Sequence, residues 1–420
     1  MNNENVEVLK IKLHDHTVGY LAGYQGGRNV FVFDEGYRNN SDRPTFTLTT
    51  HPDFPNSTKL LDEVWVKNQR LHPVFSNLLP EGALRQWLAQ TLKTHIDNEF
   101  PLLAQLGIDL PGALEALPVD NPGSIPDYVF EHRASVTPIV VTQLKKEQRF
   151  SLAGEQIKFS MKKHDGRYHI NQQGELGAWI VKTPSTQHKF VPLNEYTSMT
   201  LAGLVDVDIP DIKLVNMKDI DDLPPINLPD ENLAYAIRRF DRGEHNRRIH
   251  SEDFSQVFFK YPHDKYRSAN YEQIARVLYQ YSGKPLIGVQ QMARRLLVNI
   301  LLANGDAHLK NWSLIYRDGI TPELAPSYDI VSTKQYIKNE DKFALNLGGS
   351  KSWYEVNFSH FNAWANHADI PWRAIKPQLL DVLEKARTFW PVALSQGNAT
   401  EEYKNTLNEH WKLLHKDLRL

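Results

Sequence analysis

The stretch Asn304-Gly305-Asp306-Ala307-His308-Leu309-Lys310-Asn311 follows a segment in which Met292, Leu296, Leu297, Ile300 and Leu301 form one apolar helical face. Polar groups are therefore crowded where that helix stops. Asp306 and Asn311 stand five residues apart, and eighteen residues after Asn311 the sequence Tyr328-Asp329-Ile330 supplies a second carboxylate, beyond a strand-like segment from Trp312 to Tyr316. Magnesium takes a few hard oxygen ligands together with phosphate and water, so Asn311 and Asp329 form a candidate metal pair. Taken alone, the spacing fits ordinary helix-end and turn hydrogen bonding at least as well.

Outward from this stretch the chain changes character more than once. In the first fifty residues Val6, Val8, Ile11 and Leu13, then Val18 and Tyr20, then Val30 and Val32, then Phe46 and Leu48 alternate as strands do, which predicts a small antiparallel sheet. From Leu78 onward Leu84, Trp87, Leu88, Leu92 and Ile96 predict helix. Pro111, Pro118, Pro122 and Pro126, with Gly112 and Gly123 among them, mark Pro111 to Asp127 as a boundary. Beyond it, Phe150 to Met161, an Asp165-Gly166 turn and Tyr168 to Ile170 read as strand, turn, strand. Ala178 to Lys182 adds a strand, Leu193 to Leu204 a helix, and Leu233 to Phe240 a further strand after the proline-rich loop Asp221 to Pro229; from Asn270 the chain reads mostly as helix. The expected architecture is α+β and two-lobed, with an N-terminal sheet-and-helix domain over residues 1–125, a sheet-rich lobe over 126–240 and a mainly helical lobe over 241–420.

Composition narrows the chemistry. The 420 residues carry 48 Lys plus Arg against 50 Asp plus Glu, and a net charge of −2 gives no global field for collecting nucleic acid or anionic lipid, so a phosphate site has to be local. No cysteine is present, which excludes disulfides, thiol catalysis, thiolate zinc sites and iron–sulfur ligation. The polar, acidic start and the short run Leu296 to Ala303 predict a cytoplasmic protein with no membrane partner. The tryptophans are scattered rather than interleaved with basic residues, so no base-stacking platform is expected.

Order along the chain favours phosphoryl transfer. The Asp306-to-Asn311 spacing is that of the protein-kinase catalytic loop, where the Asp accepts a hydroxyl proton and the Asn holds magnesium. Upstream come a small-residue turn, Ser151-Leu152-Ala153-Gly154-Glu155-Gln156-Ile157-Lys158; Lys182 at the end of an apolar strand; Glu195 in a helix; and a strand ending in Arg238-Arg239-Phe240. Each has an ordinary explanation: a hairpin turn, a snorkelling lysine, a strand end. Loop, lysine, acidic helix, hinge, Asp/Asn loop and metal Asp nonetheless stand in kinase order.

These residues, with Ile180 to Pro184, Asn194-Glu195-Tyr196, Arg239 to Arg242, Ile249 to Gln256, Ala325 to Ile330 and the N-terminal Phe75-Ser76-Asn77-Leu78-Leu79-Pro80-Glu81-Gly82, resemble the HipA serine/threonine kinase toxins of bacterial type II toxin–antitoxin systems. The resemblance implies ATP and Mg2+ as cofactors. It implies that Asp306 is catalytic, that Asn311 and Asp329 hold magnesium, and that Lys182, supported by Glu195, grips phosphate. It assigns Ala153, Gly154, Glu155, Gln156, Ile157 and Lys158 to a phosphate loop and Arg238, Arg239 and Phe240 to an adenine-facing hinge. His308, Leu309, Lys310 and Tyr328 complete the implied nucleotide site, and Ser151 is the implied autophosphorylation site. Glu155 and Arg238 depart from the family pattern, which has a small residue and a carboxylate there. Implied partners are a small helix-turn-helix antitoxin of the HipB kind, operator DNA bound through that complex, and a protein acceptor such as an aminoacyl-tRNA synthetase. Lys145-Lys146, Lys162-Lys163 and Arg247-Arg248 are candidate basic contacts for the DNA.

Two other classes stay open. Asp306, His308 and Asp329 could ligate a metal for hydrolysis, with no use for Lys182. A catalytically inactive kinase scaffold could dock antitoxin and operator DNA alone, although Lys182, Asp306, Asn311 and Asp329 are all present.

Overall fold

Five strands pair antiparallel at the N-terminal end of the chain, β1 (Val8–Leu13), β2 (His16–Gly23), β3 (Arg28–Phe33), β4 (Trp65–Asn68) and β5 (Leu114–Pro118), in the order β4-β3-β2-β1-β5. This computed structural model describes residues 8–119, 121–132, 158–170, 176–223, 228–267 and 269–420. Ser151, Ala153, Gly154, Glu155, Gln156, Ile157 and the Lys145-Lys146 pair lie outside the described residues. Both faces of the first sheet are covered. Leu9, Phe31, Phe33, Trp65, Phe75 and Phe100 pack on one, and Val8, Tyr20, Val30, Ile125 and Val129 on the other, so β2 is buried without a break from Val18 to Gly23.

Two sequence expectations are corrected here. Phe46 and Leu48 form no strand; Leu48–Thr50 is a 3-10 turn, and the fourth strand is β4. The reason is that this segment crosses between two cores, Phe46 packing in the first-sheet core and Leu48 in the core of the helical lobe. Its polar groups are committed to the lobe rather than to a ladder: Thr45 N donates to Gly319 O at 2.9 Å and Thr45 Oγ1 to Ile320 O at 2.7 Å. The proline-rich stretch from Pro111 is likewise not all connection, because β5 lies inside it and closes the first sheet against β1.

The second sheet has six strands in the order β10-β7-β6-β8-β11-β9: β6 (Lys158–His164), β7 (Arg167–Ile170), β8 (Trp179–Lys182), β9 (Ile212–Asn216), β10 (Ile220–Asp221) and β11 (Leu233–Arg238). Asp165 and Gly166 both have positive φ, 48° and 84°, as a two-residue hairpin turn between β6 and β7 requires. The helix Val191–Gly203 packs on β9 and β11.

Below it, β12 (His250–Asp253), β13 (Ser313–Tyr316) and β14 (Glu323–Leu324) form a small sheet, and β15 (Lys342–Leu347) pairs with β16 (Ser350–Ser352). The helix Pro285–Leu301 is buried along most of its length, with Tyr271–Tyr281 and Trp372–Gln396 packed beside it. Asn270 caps the helix Tyr271–Tyr281 reciprocally with Gln273. Among the described residues, no helix is long and apolar enough to cross a membrane.

Glu252, on β12, fastens the crossing segment. It is buried and accepts from Thr47 Oγ1 (2.7 Å), Leu48 N (2.7 Å) and Tyr316 Oη (2.6 Å). Burial outweighs these donors and pushes its carboxyl up from the ordinary 4.5 to about 7. A carboxyl with a raised folded pKa binds its proton more tightly in the folded state; its contribution is complete below pH 4.5 and is lost as pH rises through about 7. The stability difference between wild type and Glu252→Gln is expected to change by roughly 3 kcal/mol in the variant's favour from pH 4 to pH 8. Urea unfolding of both proteins across that range checks this, and parallel pH curves would disprove it.

Candidate active site between the second sheet and the helical lobe

Lys182 ends β8 with its side chain buried, and its Nζ bonds two carboxylates at once, Glu195 Oε1 from the helix Val191–Gly203 and Asp329 Oδ1 from the loop after β14. Asp329 sits in the left-handed region at φ 55°, an uncommon conformation for a residue with a side chain. Its Oδ2 accepts from Lys158 Nζ at 3.3 Å, and Lys158 lies directly across from Lys182 in the β6–β8 register. On the other side β11 places Tyr235 opposite Lys182, its ring centroid 5.6 Å from the ammonium.

The electrostatics follow from burial and company. Burial alone would push Lys182 down, but the charges of Asp329 and Glu195 outweigh it and hold the amine above its ordinary range. Burial opposes ionisation of Asp329 as well, and the two lysines hold its carboxyl well below the usual range. Glu195 is pushed up by burial more than Lys182 draws it down, because Lys182 is shared with Asp329.

The catalytic-loop candidate begins where the helix Pro285–Leu301 stops, with Ala303 at φ 52°. Asp306 N donates to Asn304 Oδ1 (3.0 Å), His308 N to Asp306 O (2.7 Å) and Asn311 N to His308 O (2.9 Å). Asn311 Nδ2 donates to Asp306 O at 2.8 Å, which ties the amide nitrogen to the chain and leaves the amide oxygen as the ligand end. Tyr328 Oη donates to Lys310 O at 2.7 Å and meets Ser313 Oγ at 2.6 Å, lashing the segment that carries Asp329 to the loop that carries Asn311. The Asp306 carboxylate is about half exposed. His308 is buried beside it, Nε2 to Asp306 Oδ1 being 3.9 Å, and burial pushes the imidazole down to about 4 although Asp306 opposes this, so it is neutral at pH 7.

The other sequence candidates divide. Phe240 lies beside Tyr328, ring centroids 5.6 Å apart, while Arg238 points outward to Asp211 at 3.4 Å. Arg239 is drawn away into a buried seam: its guanidinium donates to Asp241 at 2.9 and 2.7 Å and to Asp109 at 3.2 Å. Arg242 joins it, bonding Asp109, Asp241 and the carbonyls of Leu110 and Gly112. Leu309 is a core residue. Lys310 turns toward the N-terminal domain, with Nζ 3.0 Å from Asn77 O, 3.1 Å from Glu81 Oε1 and 3.8 Å from Asp253 Oδ2. Glu81 also holds Lys265 at 2.8 Å, and Lys265 O accepts from Leu309 N at 3.2 Å. Burial opposes ionisation of Glu81, but the two lysines hold its carboxyl down at about 2. Of the basic pairs, Arg248 is committed to Ile108 O and Glu115, while Arg247 is exposed.

One contact had no sequence signal. Tyr266, forty residues before the loop, donates its hydroxyl to Asp306 Oδ1. Nothing in spacing or periodicity joins the two.

An oxygen set of one carboxylate and one amide, Asp329 and Asn311, suits magnesium, and the fixed orientation of the Asn311 amide supports that fit. Asp306, His308 and Asp329 do not converge as a metal cage; no group of three or more His, Asp or Glu side chains does so among the described residues.

Residues 9–117 match the HipA N-terminal domain and residues 150–390 the HipA-like C-terminal domain. The chain is 36% identical over 408 residues to Y4dM of Sinorhizobium fredii, a protein named as a candidate kinase, with 96% of each chain covered. It is 26% identical over 377 residues to the serine/threonine-protein kinase toxin HipA of Shewanella oneidensis, covering 83% of this chain and 80% of that one. The fold is shared with a chain in the solved complex of Shewanella oneidensis HipA, HipB and operator DNA, at a TM-score of 0.71 and 19% identity over 98% of this chain and 96% of the other. With both domains matched and a 36% identical relative aligned along almost its whole length, the chain belongs to the HipA family.

Proposed function

We propose that this chain is a Mg-ATP-dependent serine/threonine-protein kinase acting as the toxin of a type II toxin–antitoxin pair. The observation that carries the reading is the meeting of Lys182, Glu195 and Asp329 beside a loop in which the Asn311 amide is fixed against Asp306. Lys182, already charged and immobilised by its carboxylates, donates to nucleotide phosphate oxygens without having to be ordered at the moment of reaction. Asn311 and Asp329 hold magnesium, which offsets the charge developing on the transferring phosphoryl group. Asp306, half exposed, orients the acceptor's serine or threonine hydroxyl and takes its proton. The neutral His308 imidazole places no cation against that carboxylate. Phe240 and Tyr328 form the apolar side of the cleft, where adenine stacks.

The partners belong to the same proposal. The relative of this fold solved with HipB and operator DNA supports a helix-turn-helix antitoxin and DNA contact through it. The family resemblance implies a protein acceptor such as an aminoacyl-tRNA synthetase, and the family motif implies Ser151 as the residue the kinase modifies on itself.

Two outcomes are expected. Asp306→Asn should lower phosphoryl transfer at least ~100-fold, while Mg-ATP affinity measured by calorimetry stays within a few-fold; full activity in that variant would reject the assignment. Glu81→Gln should speed amide hydrogen exchange across residues 306–311 by about 3- to 10-fold with little change in Tm, since it releases Lys310 of the loop, and Lys265 bonded to it, from the Glu81 carboxylate of the N-terminal domain. Unchanged protection would show that the loop holds its form without the N-terminal domain.

A further inference from the structure

We propose that Tyr266 is a phosphoryl acceptor of this enzyme in cis. The inference rests on the reading of Asp306 as the catalytic base. A base must lie within hydrogen-bond reach of the proton it removes, and among the described residues the phenol of Tyr266 meets this condition, donating to Asp306 Oδ1. The contact is held in place from both ends. Lys265 O accepts from Leu309 N at 3.2 Å, tying the preceding residue to the catalytic loop, and Arg267 N donates to Asp264 O at 2.8 Å, closing the turn on which Tyr266 stands. The ring lies edge-to-face with His308, centroids 4.9 Å apart, and Lys265 Nζ is 5.7 Å from its centroid. The side chain is 42% exposed, so it is not sealed in the core. A nucleophile fixed in this way reacts as part of the molecule rather than by encounter, which removes the entropic cost that an external acceptor bears.

The step balances with Mg-ATP as co-reactant. Tyr266 Oη attacks the γ-phosphorus, the bond from that phosphorus to the β,γ-bridging oxygen breaks and ADP leaves, and the phenol proton passes to the Asp306 carboxylate and then to water. The product places a phosphate of charge about −2 beside the Asp306 carboxylate, where it blocks the position an external hydroxyl must take.

The test uses the full chain, treated with phosphatase and then incubated with Mg-ATP, in wild-type, Asp306→Asn and Tyr266→Phe forms, followed by tandem mass spectrometry of peptides at two protein concentrations about tenfold apart. The expected result is phosphate on the Tyr266 peptide of the wild type, at a first-order rate that does not change with protein concentration. That rate should fall at least ~100-fold in Asp306→Asn, and the peptide should carry no phosphate in Tyr266→Phe. Phosphate at Ser151 or elsewhere with none at Tyr266 overturns the proposal and leaves the kinase reading standing. Phosphate on no residue overturns both. A rate that rises with protein concentration, or persists in Asp306→Asn, assigns the phosphate to another molecule and equally overturns a reaction in cis.

Discussion

A single buried ammonium, that of Lys182, joins three elements that the rest of the structure must hold in register: the end of β8, the helix carrying Glu195 and the loop carrying Asp329. Burying one charge costs several kcal/mol even after relaxation, and leaving it unpaired costs more than any single surface contact returns. Lys182 keeps its second partner, Asp329, only while the second sheet and the helical lobe hold their present separation. Asp329 is bound by the same constraint, since its two oxygens divide between Lys182 and Lys158. The register of β6 against β8 thereby acquires a chemical meaning, because a slip of one residue would send Lys158 to the opposite face of the sheet.

The N-terminal domain is tied to this arrangement at three seams. Glu252 grips Thr47 and Leu48. The buried cluster of Arg239, Asp241 and Arg242 grips Asp109, Leu110 and Gly112, with Asp241 Oδ2 accepting from Gly112 N at 2.7 Å. Asn77 and Glu81 take Lys310 and Lys265 beside the catalytic loop. All three seams fall on stretches the sequence singles out, Ile249 to Gln256, Arg239 to Arg242 and Phe75 to Gly82, and the structure supplies a physical reason for their composition. The third pairs the Glu81 carboxylate with two lysines, whereas the first satisfies the buried Glu252 carboxyl with neutral donors alone.

Much of the core was legible because its residues obey local rules. The Asp165-Gly166 hairpin, the strand Trp179–Lys182 and the helix from Val191 each follow from turn chemistry or periodicity within a short window. Lys182, Glu195, Asp329 and the loop from Asp306 to Asn311 were found as one group through their order along the chain. The misreadings share a cause. Phe46 and Leu48 alternate like a strand because each serves a different core, and a single sequence does not distinguish two cores from two faces of one sheet. Arg239 and Lys310 stand inside functional motifs yet point to partners more than a hundred residues away, and Tyr266 has no neighbour in sequence that announces its contact.

The spacing of Asp306 and Asn311 also has a physical origin. Two short backbone bonds, His308 N to Asp306 O and Asn311 N to His308 O, fold the intervening residues so that the Asn311 amide returns to the Asp306 carbonyl. The loop closes on itself through main-chain atoms and the Asn311 amide nitrogen, a closure that uses neither the Asp306 carboxylate, which the Tyr266 hydroxyl meets, nor the Asn311 amide oxygen. Tyr328 then transfers the same order to Asp329 through Lys310 O. The base and the two metal-ligand candidates are thus positioned relative to one another by bonds to main-chain carbonyls, while the Asp329 carboxylate is held in place by Lys182 and Lys158.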